Sequence, residues 1–168
     1  MKFEQINGKP PIKGKNDIPF VVACPQMKNN NNVSMMARSA GCFGISRFIV
    51  TGNNKVDTHI SRDSPVPIEK RRSIVPVLKK YQQQGYKIVG LEQATNSKNI
   101  YGYKFTQVPT VLVIGNETKG MSQDILDCLD EVVEIPLFGK PHCLNAAVAT
   151  SVCIFEWSKQ SNFMEDVV

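Results

Sequence analysis

The 168-residue chain holds five cysteines and no Cys-x-x-Cys pair, a pattern that argues against a disulfide framework and against a zinc site. The expected state is reduced thiols in the cytoplasm and no bound metal. No stretch of apolar residues approaches the length that spans a bilayer. The amino end, MKFEQINGKPPIKGKND, is polar and lysine-bearing, without the apolar core of a secretory signal. Two phosphate-binding fingerprints are also missing: no Gly-Lys-Ser/Thr closes a glycine loop, and no Gly-x-Gly-x-x-Gly follows a strand. No internal repeat is visible, and the asparagine tract 29–32 is too short for a low-complexity region. What these absences leave is a soluble single domain, long enough to bury its own core.

Twenty Lys and Arg against fifteen Asp and Glu give a formal charge of +5 and a pI near 9.0. That balance permits an anionic partner such as RNA without requiring one. Residues 1–17, with Pro10, Pro11 and several lysines, read as an extended basic arm, 18–160 as the folded domain, and 161–168 as a tail. Within the domain, IPFVVAC (18–24) is a short buried strand, the asparagines at 29–32 offer an N-cap to a helix running through Phe43, and Gly44 stops it. RFIVT (47–51) is the next strand and Gly52, Asn53 and Asn54 its turn. Mixed charge and prolines make 58–69 a loop. A helix over 74–84, with Pro76 in its first turn, leads to a strand at 87–91, a polar loop at 92–107 and an apolar strand at 110–114. A short helix at 122–129, capped by Ser122, precedes a last strand at 131–137. Alternating β and α elements with two-sided apolar strands predict a parallel sheet with helices on both faces.

The block 133–155, VEIPLFGKPHCLNAAVATSVCIF, joins a strand, a Gly/Pro/Lys loop and a helix over 144–157. Leu144, Val148, Val152 and Phe155 share one stripe, and Ala146, Ala147, Ala149 and Ser151 fill the rest. Such a helix has almost no solvated face. Burial on more than one side, in a cofactor pocket and a subunit interface, is the expectation.

Three blocks carry a family resemblance: NVSMMARSAGCFG (32–44), VIGNETKGMS (113–122) and IPLFGKPHCLN (135–145). In order and spacing they resemble the three signatures of the SpoU-type RNA ribose 2′-O-methyltransferases of the SPOUT superfamily. The resemblance implies a C-terminal deep trefoil knot, S-adenosylmethionine as methyl donor, a homodimer, and transfer to a ribose 2′-hydroxyl of tRNA or rRNA. It implies catalytic roles for Asn32, Arg38, Glu117 and Asn145. It implies a donor pocket of Leu91, Glu92, Gly115, Glu117, Gly120, Ile135, Pro136, Leu137, Leu144 and Asn145, with Glu117 orienting Arg38.

Taken alone, Arg38 reads as a solvated helix arginine; under the resemblance it reaches the donor site across a dimer. A guanidinium titrating above about 12 is a poor base, so its role would be to hold the RNA phosphate and stabilise the developing ribose alkoxide. Substrate contacts are assigned to Arg38, Cys143, Lys70, Arg71 and Arg72. The last three, with Lys79 and Lys80, form the densest basic region, either a solvated helix face or a phosphate track. Two positions depart from the family pattern: Cys143 and Ala147 stand where serines are usual, and a thiol is the weaker donor. An RNA-binding member with little or no turnover is therefore the alternative. His142 beside Cys143 does not make a thiol enzyme, because adjacent residues seldom put a thiolate and its base in reach.

Overall fold

The computed structural model describes residues 4–5, 18–57, 59, 66–105, 107–140 and 142–161. All of the expected arm but residues 4–5, all of the expected tail but Ser161, and most of the 58–69 loop lie outside these. Strands β1 (Phe20–Cys24), β2 (Arg47–Thr51), β3 (Ile68–Arg71), β4 (Lys87–Leu91), β5 (Lys98–Asn99), β6 (Thr110–Ile114) and β7 (Glu131–Glu134) form one sheet in the order β3-β2-β1-β6-β4-β7-β5. Every pairing is parallel. Four helices have both ends among the described residues: α1 (Asn30–Cys42), α2 (Val75–Gln83), the single turn α3 (Gln123–Leu126) and α4 (Ala146–Gln160).

Successive strand residues point to opposite faces, and the core divides accordingly. Val22, Cys24, Phe48, Val50, Leu112 and Ile114 pack beneath α1 and α4. Val21, Ala23, Ile49, Val111 and Val113 pack beneath α2 and α3. Central strands β1 and β6 are buried throughout, as their continuous β-branched runs predict.

Several boundaries move. The expected loop 92–107 contains β5 and the expected loop 58–69 holds the start of β3, both outer strands of the sheet. Their sequences, IEKR and KN, carry no apolar alternation because an edge faces water and is protected by charge. The last strand ends at Glu134 rather than residue 137, and the last helix starts after Asn145 rather than at Leu144. Ser122 takes the N-cap position of α3 but makes no side-chain cap hydrogen bond.

The chain's own core covers only one side of α4. Ala147, Thr150, Cys153, Ile154 and Trp157 face the core, whereas Leu144, Val148, Val152 and Phe155 are 38 to 55% exposed. Small residues let the helix settle against α1, where Ser39 Oγ and Ser151 Oγ meet at 2.8 Å. The larger apolar side chains are thereby turned outward.

Val133 of β7 pairs with Leu91 on one side and with Lys98 on the other. The connection 92–97 therefore passes from the end of β4 to β5 across the carboxyl end of β7. The threading implied by the family resemblance is consistent with this crossing.

Candidate functional site

The carboxyl ends of β4, β6 and β7 open onto a cavity of about 430 Å³, within the size range of ligand pockets. Leu91, Ile114, Ile135, Leu137 and Leu144 supply apolar wall; Glu92, Asn32, Glu117, Cys143 and Asn145 supply polar groups. A parallel sheet places loops at this end, and ligands bind there in open α/β folds.

One side of the cavity is built by a relay of side chains. Asn145 is the N-cap of α4, its Oδ1 accepting from the amides of Ala147 (2.9 Å) and Val148 (3.4 Å). With that oxygen committed, its Nδ2 donates to Asn32 Oδ1 at 3.0 Å. Asn32 Nδ2 in turn donates to Glu117 Oε1 at 2.9 Å, and Glu117 Oε2 accepts from the Lys28 amide at 3.1 Å. A carboxylate only accepts and helix amides only donate, so both ends of the relay fix the orientation of the two amide side chains between them. Burial opposes ionisation of Glu117, but the hydrogen bonds from Asn32 and from backbone amides outweigh it and hold its carboxyl below the usual range.

At two glycines of the wall the Glu92 carboxylate occupies the space that a side chain would take. A Cβ on Gly115 would lie 2.0 Å from Glu92 Oε2, and one on Gly120 3.0 Å from the same oxygen. Gly120 also has φ +63°, where a side chain is strained. The Glu92 carboxylate thus nests against both glycines, and its other oxygen accepts from the Gln93 amide.

A second set of amides, not foreseen from sequence, positions this frame. Asn116 folds the 116–120 turn by accepting from the amides of Thr118 and Lys119, and its Nδ2 donates to Gln26 O at 2.8 Å. Asn54, buried, accepts from the Met27 amide at 2.9 Å and donates to Pro25 O at 2.6 Å. Together they fix the segment 25–28 that presents the Lys28 amide to Glu117. Asn116 stands inside the GNETKG block and was open to discovery; Asn54 reads only as a turn residue. Asn29, Gln93, Glu134, Ala146 and Ala149 also line the cavity and carry no distinguishing motif.

Of the expected site residues, Asn32, Leu91, Glu92, Gly115, Glu117, Ile135, Leu137, Cys143, Leu144 and Asn145 come together here. Gly120 shapes the wall through Glu92, and Pro136 lies between two lining residues. Arg38 is exposed on α1 and is not among the lining residues. Glu117 accepts hydrogen bonds from Asn32 and from the Lys28 amide. Lys70, Arg71 and Arg72 are remote, at the β3 edge, and strand alternation divides them: Glu69 and Arg71 face the α2 side and Lys70 the other.

The wall fits S-adenosylmethionine in chemistry. The aliphatic side chains suit an adenine ring. Among the described residues nothing hydrogen-bonds the backbone of 135–137, which leaves amides and carbonyls for the edges of that ring. The acidic Glu92 and Glu117 suit a sulfonium and an ammonium group. Among the described residues no group of His, Cys, Asp or Glu is arranged to hold a metal, and no helix is long and apolar enough to cross a membrane.

A parallel sheet with a cavity at its strand ends, lined from three sequence blocks, defines a ligand-binding α/β domain. The sequence profile of the SpoU rRNA Methylase family matches residues 19–155, and the chain belongs to that family. Over 147 residues it is 31% identical to a tRNA (guanosine(18)-2′-O)-methyltransferase of Aquifex aeolicus, covering 84% of this chain and 69% of that protein. The solved structure of the A. aeolicus TrmH/SpoU tRNA modifying enzyme superposes with a TM-score of 0.79 at 29% identity, covering 92% of this chain and 79% of that one. The SpoU methyltransferase AviRb from Streptomyces viridochromogenes, solved in complex with the cofactor AdoMet, gives a TM-score of 0.70 at 25% identity, over 89% of this chain and 60% of that one. The chain spans 69%, 61% and 63% of the length of three curated relatives.

Proposed function

We propose that this chain is an S-adenosylmethionine-dependent RNA methyltransferase that modifies a ribose 2′-hydroxyl of tRNA or rRNA, working in the cytoplasm as a homodimer. The observation that carries this reading is the Asn145–Asn32–Glu117 relay, which ties one residue from each of three distant blocks to one wall of a single cavity. Bound S-adenosylmethionine supplies a methyl group made electrophilic by its sulfonium. The chain's own residues supply placement: the cavity wall orients the donor, the relay holds the mouth of α4 against α1, and Arg38 stabilises negative charge on the ribose oxygen and its phosphate.

Arg38 needs a second copy in this scheme. It shares the outward face of α1 with Met35, beside the exposed Val148, Val152 and Phe155 of α4. Phe43 and Phe155 join the two helices with ring centroids 6.2 Å apart. An exposed apolar face of this kind, beside the exposed Arg38, suits an isologous interface. Sedimentation at micromolar concentration is expected to give twice the chain mass of 18.7 kDa. A stable monomer would remove the route by which Arg38 reaches a donor.

The decisive test is Arg38→Ala, read by single-turnover methyl incorporation and by calorimetry of donor binding. The rate is expected to fall by about two to three orders of magnitude, the usual loss on removing a donor to developing negative charge, with donor affinity nearly unchanged. Arg38→Lys is expected to recover little, since it lacks the planar fork. A near-normal rate in Arg38→Ala would overturn its assigned role.

A further inference from the structure

A second cleft, of about 830 Å³, lies between α2 and the edge formed by β2 and β3. It runs along the α2 face of these parallel strands, from Pro19, Ser46 and Arg47 at the starts of β1 and β2 to Arg71, Arg72 and Ser73 at the carboxyl end of β3. The first cavity lies at the ends of β6, β4 and β7, on the other side of β1 from this edge. Four cations, Arg47, Arg71, Arg72 and Lys80, line the second cleft against one carboxylate, Glu69.

That carboxylate does not neutralise the cleft. Glu69 Oε2 accepts from Arg47 Nη1 at 2.5 Å and Oε1 from Arg71 Nε at 2.6 Å. Each guanidinium carries five N–H donors in a fixed fork, so each gives Glu69 one and keeps several for another acceptor. Sharing one carboxylate also holds the two forks side by side, which lowers the entropic cost of engaging an anion. Arg72 and Lys80 make no ion pair among the described residues. Tyr81 and Tyr86 meet edge to face, centroids 4.8 Å apart, and give the cleft an aromatic wall.

We infer that this cleft is a second RNA contact, in which Arg47, Arg71, Arg72 and Lys80 hold backbone phosphates of a part of the substrate distant from the reacting ribose. Cations in excess beside an aromatic wall are what a polynucleotide backbone and its bases require. A small free anion would not need four cations spread over two strands and a helix. The inference rests on RNA being the substrate, but it makes a separate claim about where RNA is held.

The test compares Arg72→Ala/Lys80→Ala with Lys79→Ala/Lys104→Ala, which removes two positive charges outside the cleft, using bulk unmodified tRNA as probe. Filter binding over a salt series should show the cleft variant about tenfold weaker, its log–log salt slope reduced by about one to two, and the control within about twofold of the parent. Equal S-adenosylmethionine affinity by calorimetry in all three proteins would verify an intact fold. If the parent methylates RNA and the cleft variant binds tRNA as the parent does, or if the control loses as much as the cleft variant, the cleft assignment is overturned while the methyltransferase reading stands. If the cleft variant alone loses binding, the cleft stands whether or not methylation is detected. If the parent binds no RNA, both fall.

Discussion

Glu69 of β3 holds Arg47 of β2 and Arg71 of its own strand, while toward the other edge of the sheet Glu131 of β7 holds Lys87 of β4, at 2.7 Å, and Lys98 of β5. The charge pattern is the same, one carboxylate between two cations, but the two edges are finished differently. At the β5 edge the Tyr103 hydroxyl also donates to Glu131, at 2.5 Å, and both ammonium groups sit 5.9 Å from the centre of its ring. An ammonium is a compact point charge, and here each has an acceptor and an aromatic face, so the edge is electrostatically closed. At the β3 edge the guanidinium forks outnumber what one carboxylate can occupy, and two further cations face the same cleft. Lysine closes one edge; arginine leaves the other able to bind.

Neutralising the closed edge should have the larger consequence for the fold. Burial opposes ionisation of Glu131, but hydrogen bonds from Lys87, Lys98 and Tyr103 outweigh it and hold its pKa down to about 2. A carboxyl whose folded pKa is depressed contributes stability that is complete above its unfolded value and is lost as pH falls toward the folded one. The contribution of Glu131 should therefore fade between about pH 5 and pH 2, given its folded value of about 2. Glu131→Gln is expected to cost about 2 kcal/mol at pH 7, the scale of hydrogen bonds to a charged group. Urea unfolding across pH should also show a shallower acid loss in the variant than in the parent. An unchanged acid slope would mean that the β5 edge is no more closed than the β3 edge.

The same contrast explains what could be read from sequence. The central strands were legible because two-sided burial writes a continuous apolar run, as in FVVAC and TVLVI. The outer strands were not: IEKR and KN are selected for charge and exposure, which at the level of residue type is the signature of a loop. The cavity was legible in most of its residues because Asn32, Glu117 and Asn145 sit in recognisable blocks. Their mutual bonding was not, since it spans 85 and 113 residues of separation. The last helix was legible as one with little polar face, but not which side meets the rest of the chain: close approach to α1 puts the small residues inside and leaves Val148, Val152 and Phe155 exposed. The basic run 70–72 was visible, yet a helical reading could not show that strand alternation sends Lys70 to one face and Arg71 to the other.

The smallest expected effect tests the open edge. Glu69→Gln removes the one negative charge in the cleft while keeping an amide oxygen that still accepts from a guanidinium. Burial opposes ionisation of Glu69, but its bonds to Arg47 and Arg71 hold its carboxyl below the usual range, so at neutral pH the charge is present to be removed. Both partners are about half exposed, at 48% and 49%, and exposed pairs contribute little; the stability cost should stay near about 0.5 kcal/mol. A unit charge about 7 Å from a phosphate in water is worth about 0.6 kcal/mol, so removing it should tighten tRNA binding by about threefold at low salt. The gain should shrink as salt screens it. Tighter binding with little lost stability would separate this edge from that of Glu131, where the same change weakens the fold and should leave RNA affinity unaltered. Weaker binding by Glu69→Gln would instead show that holding the two forks matters more than the charge, and that the β3 edge is as dependent on its carboxylate as the β5 edge.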